Sequence, residues 1–242
     1  MIAFKKLKPL EALVSLFYPP VCAVCGANVG PSEYLCDACE AKATRIVPPF
    51  CEICSEPFPG AITNAFTCAN CGNRKLHFEA AVAAYRSRGI VRHVIHDFKY
   101  NKQLHLRHVV SRWLADALAD VRLRGWRFDA LVPVPLHPAR RRERGFNQAE
   151  LLAEFVSERF SIESKPILER IRYTKTQTAF DRAERMENLR DAFRLRKNAD
   201  VRGYRMLLID DVLTTGSTLS ECARVLKAAG AVSVHAATAA RA

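Results

Sequence analysis

The sequence predicts an α/β fold, a doubly wound and mostly parallel sheet behind a small cysteine-rich module, and three observations carry that expectation. From residue 79 onward, strand-length apolar runs alternate with stretches of helical periodicity, the pattern of a parallel sheet with crossover helices. The run Met206 to Ile209 is unbroken, as a central strand covered on both faces should be. Eight of the nine cysteines fall before residue 72, among prolines and glycines. At 242 residues and 49% hydrophobic content, the chain can bury one substantial core plus an appendage. Residues 1–76 are expected to form the appendage and 77–242 the main domain.

At the N-terminus, Lys5, Lys6 and Lys8 precede the apolar stretch Leu10 to Tyr18. Glu11 interrupts that stretch and no small-residue cleavage site follows, so a short amphipathic helix is expected rather than a signal peptide. No apolar run approaches the ~20 residues of a membrane span, and no membrane insertion is expected. Four Cys-x-x-Cys pairs come next: Cys22/Cys25, Cys36/Cys39, Cys51/Cys54 and Cys68/Cys71. Each pair puts two thiolates on one knuckle, and two knuckles can close a tetrahedral four-thiolate site around zinc. Ten residues separate the first two pairs and thirteen the last two, which suits two consecutive zinc ribbons; the spacing leaves interleaved pairing open. A disulfide framework needs an oxidising compartment that nothing here targets, and a thioredoxin-like motif needs a βαβ context. With all four positions closed by thiolate, the zinc is expected to be structural, and its binding, worth ~10–16 kcal/mol per site, to supply the folding energy of so short a segment.

In the main domain, Glu79 to Tyr85 reads as a first strand, followed by helices over Ile90 to Phe98 and Leu104 to Leu118. His93/His96 and His105/His108 sit on those helices without a carboxylate constellation and are assigned no ligand role. Ala130 to Val132 reads as a second strand, stopped by Pro133, Pro135 and Pro138. Arg140, Arg141, Arg142 and Arg144 follow, then Gly145-Phe146-Asn147-Gln148 opens a helix to about Phe160. Such a run after a strand and before a helix start lies where α/β proteins bind phosphates. Two short strand-like runs, Pro166 to Ile171 and Ala192 to Leu195, are joined by Tyr173 to Phe193, which has few large apolar residues and is expected to act as a partly mobile flap. Val232 to Thr238 supplies the last strand.

The most informative stretch is Met206 to Thr218, MLLIDDVLTTGST. An apolar strand runs into two adjacent carboxylates, then into a hydroxyl-rich turn with a glycine, and the helical spacing of Leu219, Cys222, Val225 and Leu226 follows. An Asp at a strand end or a Ser at a helix cap is ordinary. Two acids together at a strand's carboxyl end need a cation or hydroxyls, and the free N-H groups of the following helix favour an anion. Cys222, alone on the apolar helix face, reads as a core residue. The stretch resembles the phosphoribosyl pyrophosphate (PRPP) signature of type I phosphoribosyltransferases. That resemblance implies a site spanning Asp210, Asp211, Val212, Leu213, Thr214, Thr215, Gly216, Ser217 and Thr218, with Asp210 and Asp211 as catalytic candidates on the ribose 2′- and 3′-hydroxyls and Thr214 to Thr218 around the 5′-phosphate. Arg140, Arg141 and Arg144, with Lys175 and Arg185 from the flap, are candidates for the pyrophosphate, with Mg²⁺. Purine-salvage members carry an Asp where Thr214 stands, which speaks against purine salvage.

Taken with the cysteine pairs, VPVPLHPARRRERGFNQAELLA and TKTQTAFDRAERMENLRDAF, this stretch makes nearly the whole chain similar to the ComF family and its GntX-like members. The resemblance implies a cytoplasmic protein, a double zinc ribbon fused to a type I phosphoribosyltransferase domain, involved in natural competence or the use of external DNA. Charge distribution bears on partners. The net +12 lies entirely beyond residue 80, and Arg86 to Arg144 holds 14 basic against 5 acidic residues. Such concentration favours polyanions, PRPP or single-stranded DNA, with Tyr100, Trp113 and Trp126 interspersed; Trp113 fits a helical core position. Docking of a DNA-translocating ATPase on the ribbons is a further expectation.

Overall fold

The computed structural model describes residues 19–60, 65–173 and 189–242. The helix expected over Leu10 to Tyr18, and residues 174–188 of the flap with Lys175 and Arg185, lie outside them. Two four-residue helices, α1 (Asp37–Glu40) and α2 (Ala69–Gly72), each begin immediately after a cysteine, Cys36 and Cys68, that stands at the N-cap. The main domain runs β1 (Ala81–Arg86), α3 (Gly89–Tyr100), α4 (Arg107–Leu118), β2 (Ala130–Pro133), α5 (Pro138–Arg144), α6 (Gln148–Phe160), β3 (Leu168–Arg170), β4 (Phe193–Leu195), β5 (Arg205–Leu213), α7 (Ser217–Ala228) and β6 (Ser233–Arg241).

Four strands pair in the order β1-β6-β5-β2, all parallel, with Val132 opposite Leu208 and Leu208 opposite Ala236. The unbroken apolar run puts β5 inside the sheet, where alternate side chains feed two cores. Leu207 and Ile209 pack into a cluster with Trp113 of α4 and Leu152 of α6. Met206 and Leu208 pack on the opposite face with Leu219, Cys222 and Leu226 of α7. Each fully buried side chain of this size contributes about 1.5–3 kcal/mol, so the strand that carries the acids is also the best anchored.

Two elements depart from simple strand–helix alternation. The arginine run forms α5, because His137 Nδ1 accepts from Ala139 N at 3.2 Å, Pro138 stands in the first turn and Gly145 ends it at φ +87°. The short strands β3 and β4 pair antiparallel with each other, apart from the main sheet. Only one face of each has an apolar residue to bury, Leu168 and Phe193, which suits a small ribbon laid on a core and not a central strand.

Both cysteine modules share the cores of the main domain. Cys22, Leu35 and Cys39 join the α4–α6 cluster, while Cys51, Cys54, Cys68 and Cys71 join the α7 cluster. The segment between them and the second module itself pair with the open edge of β1: Ile46 N donates to Ala84 O at 2.8 Å and Ala81 N to Ile53 O at 2.7 Å. Ser55 Oγ donates to Ala81 O and accepts from Ala83 N, both at 3.1 Å. An edge strand that would otherwise invite pairing is thereby covered. Among the described residues no helix is long and apolar enough to cross a membrane.

Candidate functional site

β5 continues through both acids to Leu213, so Asp210 and Asp211 project to opposite faces of the sheet at its carboxyl end. Asp211 is 2% exposed. It is paired with Lys99 of α3, and its Oδ1 accepts from Gln148 Nε2 of α6 at 3.3 Å. Gln148 in turn accepts from Arg144, whose guanidinium lies 5.0 Å from the Tyr100 ring centroid. Gln148 reaches the acid because Asn147 fixes the start of α6: its side chain accepts from Ala149 N and donates to Val134 O, both at 3.1 Å. Burial pushes the Asp211 carboxyl up, but the Lys99 charge and hydrogen bond outweigh it and hold the group below the usual carboxylate range.

Asp210 behaves oppositely. Burial first, and then the charge of Asp211, raise its pKa well above the carboxylate range. Its Oδ1 accepts from Asp211 N at 2.9 Å. Cys222 of α7 lies within its electrostatic reach and is itself fully buried, so burial and Asp210 push its thiol up. That is the environment of a core cysteine, not a nucleophile. A half-buried acid with a raised pKa beside an ionised one would be relieved by hydroxyl donors or a divalent cation.

After Leu213 the chain turns through Thr214 and Thr215 to Gly216, whose φ of +76° is the left-handed region that favours glycine. Gly216 is the N-cap of α7, and Ser217 and Thr218 form the helix's first residues. Thr215 Oγ1 and Ser217 Oγ lie 2.9 Å apart. Backbone N-H groups, a dipole end and hydroxyls thus meet at one turn, the makings of an anion site. Residues of the second cysteine module grip this turn from outside: Arg74 donates to Thr215 O and, at 3.3 Å, to Ser217 Oγ, and Asn70 Nδ2 donates to Thr215 O at 3.4 Å.

A cavity of about 300 Å³ opens beside the Asp211 side of this end of the sheet, lined by Lys99, Tyr100, Lys102, Arg140, Glu143, Arg144 and Tyr173. Arg140 and Arg144 are therefore brought together here, with Arg140 5.8 Å from the Tyr173 ring centroid. Arg141 turns away to Glu150, at 2.8 Å. Lys99 and Gln148 belong to the site although no motif marked Lys99, while Gln148 lay unremarked in the stretch GFNQ that opens α6. Arg74 and Asn70 carried no signal beyond their place beside a cysteine pair.

The cysteines form two sets, Cys22/Cys25/Cys36/Cys39 and Cys51/Cys54/Cys68/Cys71, with the four sulfurs of each within 4.8 Å of one another. Pairing is therefore consecutive, which settles the alternative that spacing left open. Sulfurs of a zinc tetrahedron with ~2.3 Å bonds lie about 3.8 Å apart, and the Cys25–Cys36 and Cys54–Cys68 separations are both 3.6 Å. Both sets fit structural zinc. The histidines are elsewhere: His93 and His96 flank Asp97 at 3.5 Å, and the His105 and His108 rings pack on Tyr34.

Comparison with known proteins agrees with this geometry. Residues 13–72 match the double zinc ribbon domain family and residues 147–242 the phosphoribosyl transferase domain family. The chain is 30% identical over 214 residues to competence protein F of Haemophilus influenzae, covering 86% of this chain and 91% of that protein. It is 30% identical over 224 residues to DNA utilization protein YhgH of Escherichia coli, covering 91% and 96%. Competence protein ComFC of Bacillus subtilis is 28% identical over 210 residues, covering 81% and 79%. With a ribbon of two four-cysteine sets joined to a phosphoribosyltransferase domain, and with relatives matched over nearly their full length, this chain belongs to the ComF family of competence and DNA utilization proteins.

Proposed function

We propose that the chain binds PRPP through the β5–α7 turn and transfers its phosphoribosyl group to an acceptor, in a cytoplasmic role connected with the use of DNA. The carrying observation is the juxtaposition, at one end of β5, of two acids of opposite protonation tendency with a left-handed glycine turn opening a helix. In this reading Thr214 to Thr218 hold the 5′-phosphate and Asp210 and Asp211 the ribose 2′- and 3′-hydroxyls. Lys99, Arg140 and Arg144 face the pyrophosphate, where their cationic groups stabilise the charge that develops as the anomeric bond breaks. Mg²⁺, when bound, would add charge neutralisation on that leaving group. No protein nucleophile is required, in keeping with the inert setting of Cys222. Residues 1–76 would serve as the ribbon module and 77–242 as the transferase body. Calorimetric titration with PRPP and Mg²⁺ tests the proposal. Wild type should bind and Asp210→Asn/Asp211→Asn should not; equal binding sinks it.

A second reading has its own observation. Tyr100 is 58% exposed beside Lys99, Lys102, Arg140 and Arg144, a stacking surface among phosphate-binding cations. Trp113 is buried and takes no part, whereas Trp126 is exposed. Single-stranded DNA held there would lose affinity steeply with salt, and a Tyr100→Ala chain would bind an oligonucleotide more weakly by roughly 1–3 kcal/mol. Oligonucleotide affinity insensitive to both salt and this substitution would remove the reading. Docking of a DNA-translocating ATPase on the ribbon face belongs with it and is open to pull-down with the purified ATPase.

A further inference from the structure

Resting on the ribose-phosphate reading of the β5–α7 turn, we propose that Arg74 and Asn70 of the second ribbon are positioning residues for the phosphate site, so that ribose-phosphate affinity depends on the metal state of Cys51, Cys54, Cys68 and Cys71. Asn70 stands between Cys68 and Cys71, and Arg74 three residues beyond Cys71, so a metal that closes this set fixes where both side chains start. Both donate to the same acceptor, the carbonyl of Thr215. A trans peptide is planar, with its C=O and N-H on opposite edges. Drawing the Thr215 oxygen toward the ribbon therefore turns the Gly216 N-H away from it, leaving a donor for an anion.

Two contacts flank the turn, one from the residue that follows the ribbon and one relayed to it through β6. His77 N donates to Ser220 Oγ at 3.1 Å, one helical turn into α7. Arg241, paired with Glu56 of the ribbon, donates to Leu213 O at 3.4 Å, just before the turn. The second ribbon thus holds the proposed phosphate loop directly at Thr215 and Ser217, with His77 and the Glu56-paired Arg241 bracketing it at Ser220 and Leu213. Gly216 lies against the same residues: a Cβ there would sit in van der Waals contact with Phe78 Cζ at 3.4 Å and Arg74 Nη2 at 3.6 Å. The first ribbon packs against α4 on the other side of the sheet, so the dependence belongs to one cluster only.

The experiment titrates the zinc-replete full chain with PRPP and Mg²⁺, ribose 5-phosphate and magnesium pyrophosphate, with metal content and thermal melting recorded for each variant. Arg74→Ala should weaken ribose 5-phosphate binding roughly ten- to hundredfold, as loss of charge-assisted hydrogen bonds does, while pyrophosphate binding keeps its wild-type value. Arg74→Lys should recover part of the loss. General damage would weaken both ligands together and would contradict the proposal. If Arg74→Ala sheds its metal, Arg74→Lys and Asn70→Ala carry the same comparison. Ribose 5-phosphate affinity unchanged in a folded, zinc-replete Arg74 variant overturns the coupling and leaves the PRPP reading standing. A wild-type chain that binds no ribose phosphate removes both.

Discussion

Asp210 and Asp211 are adjacent and chemically alike, yet their surroundings drive them apart. Asp211 faces Lys99 and Gln148, whereas Asp210 faces the buried thiol of Cys222 and feels its neighbour's charge. Because the folded pKa of Asp210 is raised, folding favours its protonated form. Its contribution to stability is complete below the unfolded carboxylate pKa and is lost as pH rises through the folded value. Asp210→Asn removes that loss, so its melting temperature should overtake wild type by a margin that grows from about pH 4 to about pH 8. A margin independent of pH would mean that Asp210 ionises normally. The acid pair was legible in the sequence because a buried strand rarely ends in two carboxylates without a partner. Its cationic partner was not: Lys99 is one lysine of an ordinary helix, and only its pairing with Asp211 in the folded chain gives it meaning.

Among the elements, β5 and α7 were the most legible, since an unbroken apolar run and a 3.6-residue period speak for themselves. The turn between them depends on Gly216. A residue with a Cβ at φ +76° is strained, although space beside Phe78 would admit the added atom. Gly216→Ala should cost roughly 1–2 kcal/mol, seen as a lower melting temperature, and should weaken PRPP binding further than that loss of stability explains. Unaltered melting would place the turn outside the strained region. The pairing of β3 with β4 was not legible, because three-residue strands carry too short a pattern to choose a partner or a direction. The arginine helix α5 was hidden for a different reason. Its helicity comes from the His137 cap, Pro138 and Gly145, and none of its residues is buried to leave a period.

At the scale of the molecule, the cysteine modules and the main domain share cores. Cysteine spacing disclosed the metal chemistry, whereas the grip of Arg74 on Thr215, across 141 residues, could appear only once the chain was folded. Covering of the β1 edge by Ile53 and Ser55 is likewise a product of assembly. Removing metal from the second set, by chelation or by Cys51→Ser, should therefore lower the melting temperature of the whole chain and expose the Ala81 and Ala83 amides to hydrogen exchange. Protection that survives metal loss would show the edge to be held by other means. A structure of the zinc-replete chain with PRPP and Mg²⁺ tests the β5–α7 phosphate site most directly. The 5′-phosphate should lie about 2.7–3.2 Å from backbone N-H groups of Thr214 to Thr218, with the ribose hydroxyls on Asp210 and Asp211. A ligand seated only among Tyr100, Arg140 and Arg144, with that turn empty, would contradict it.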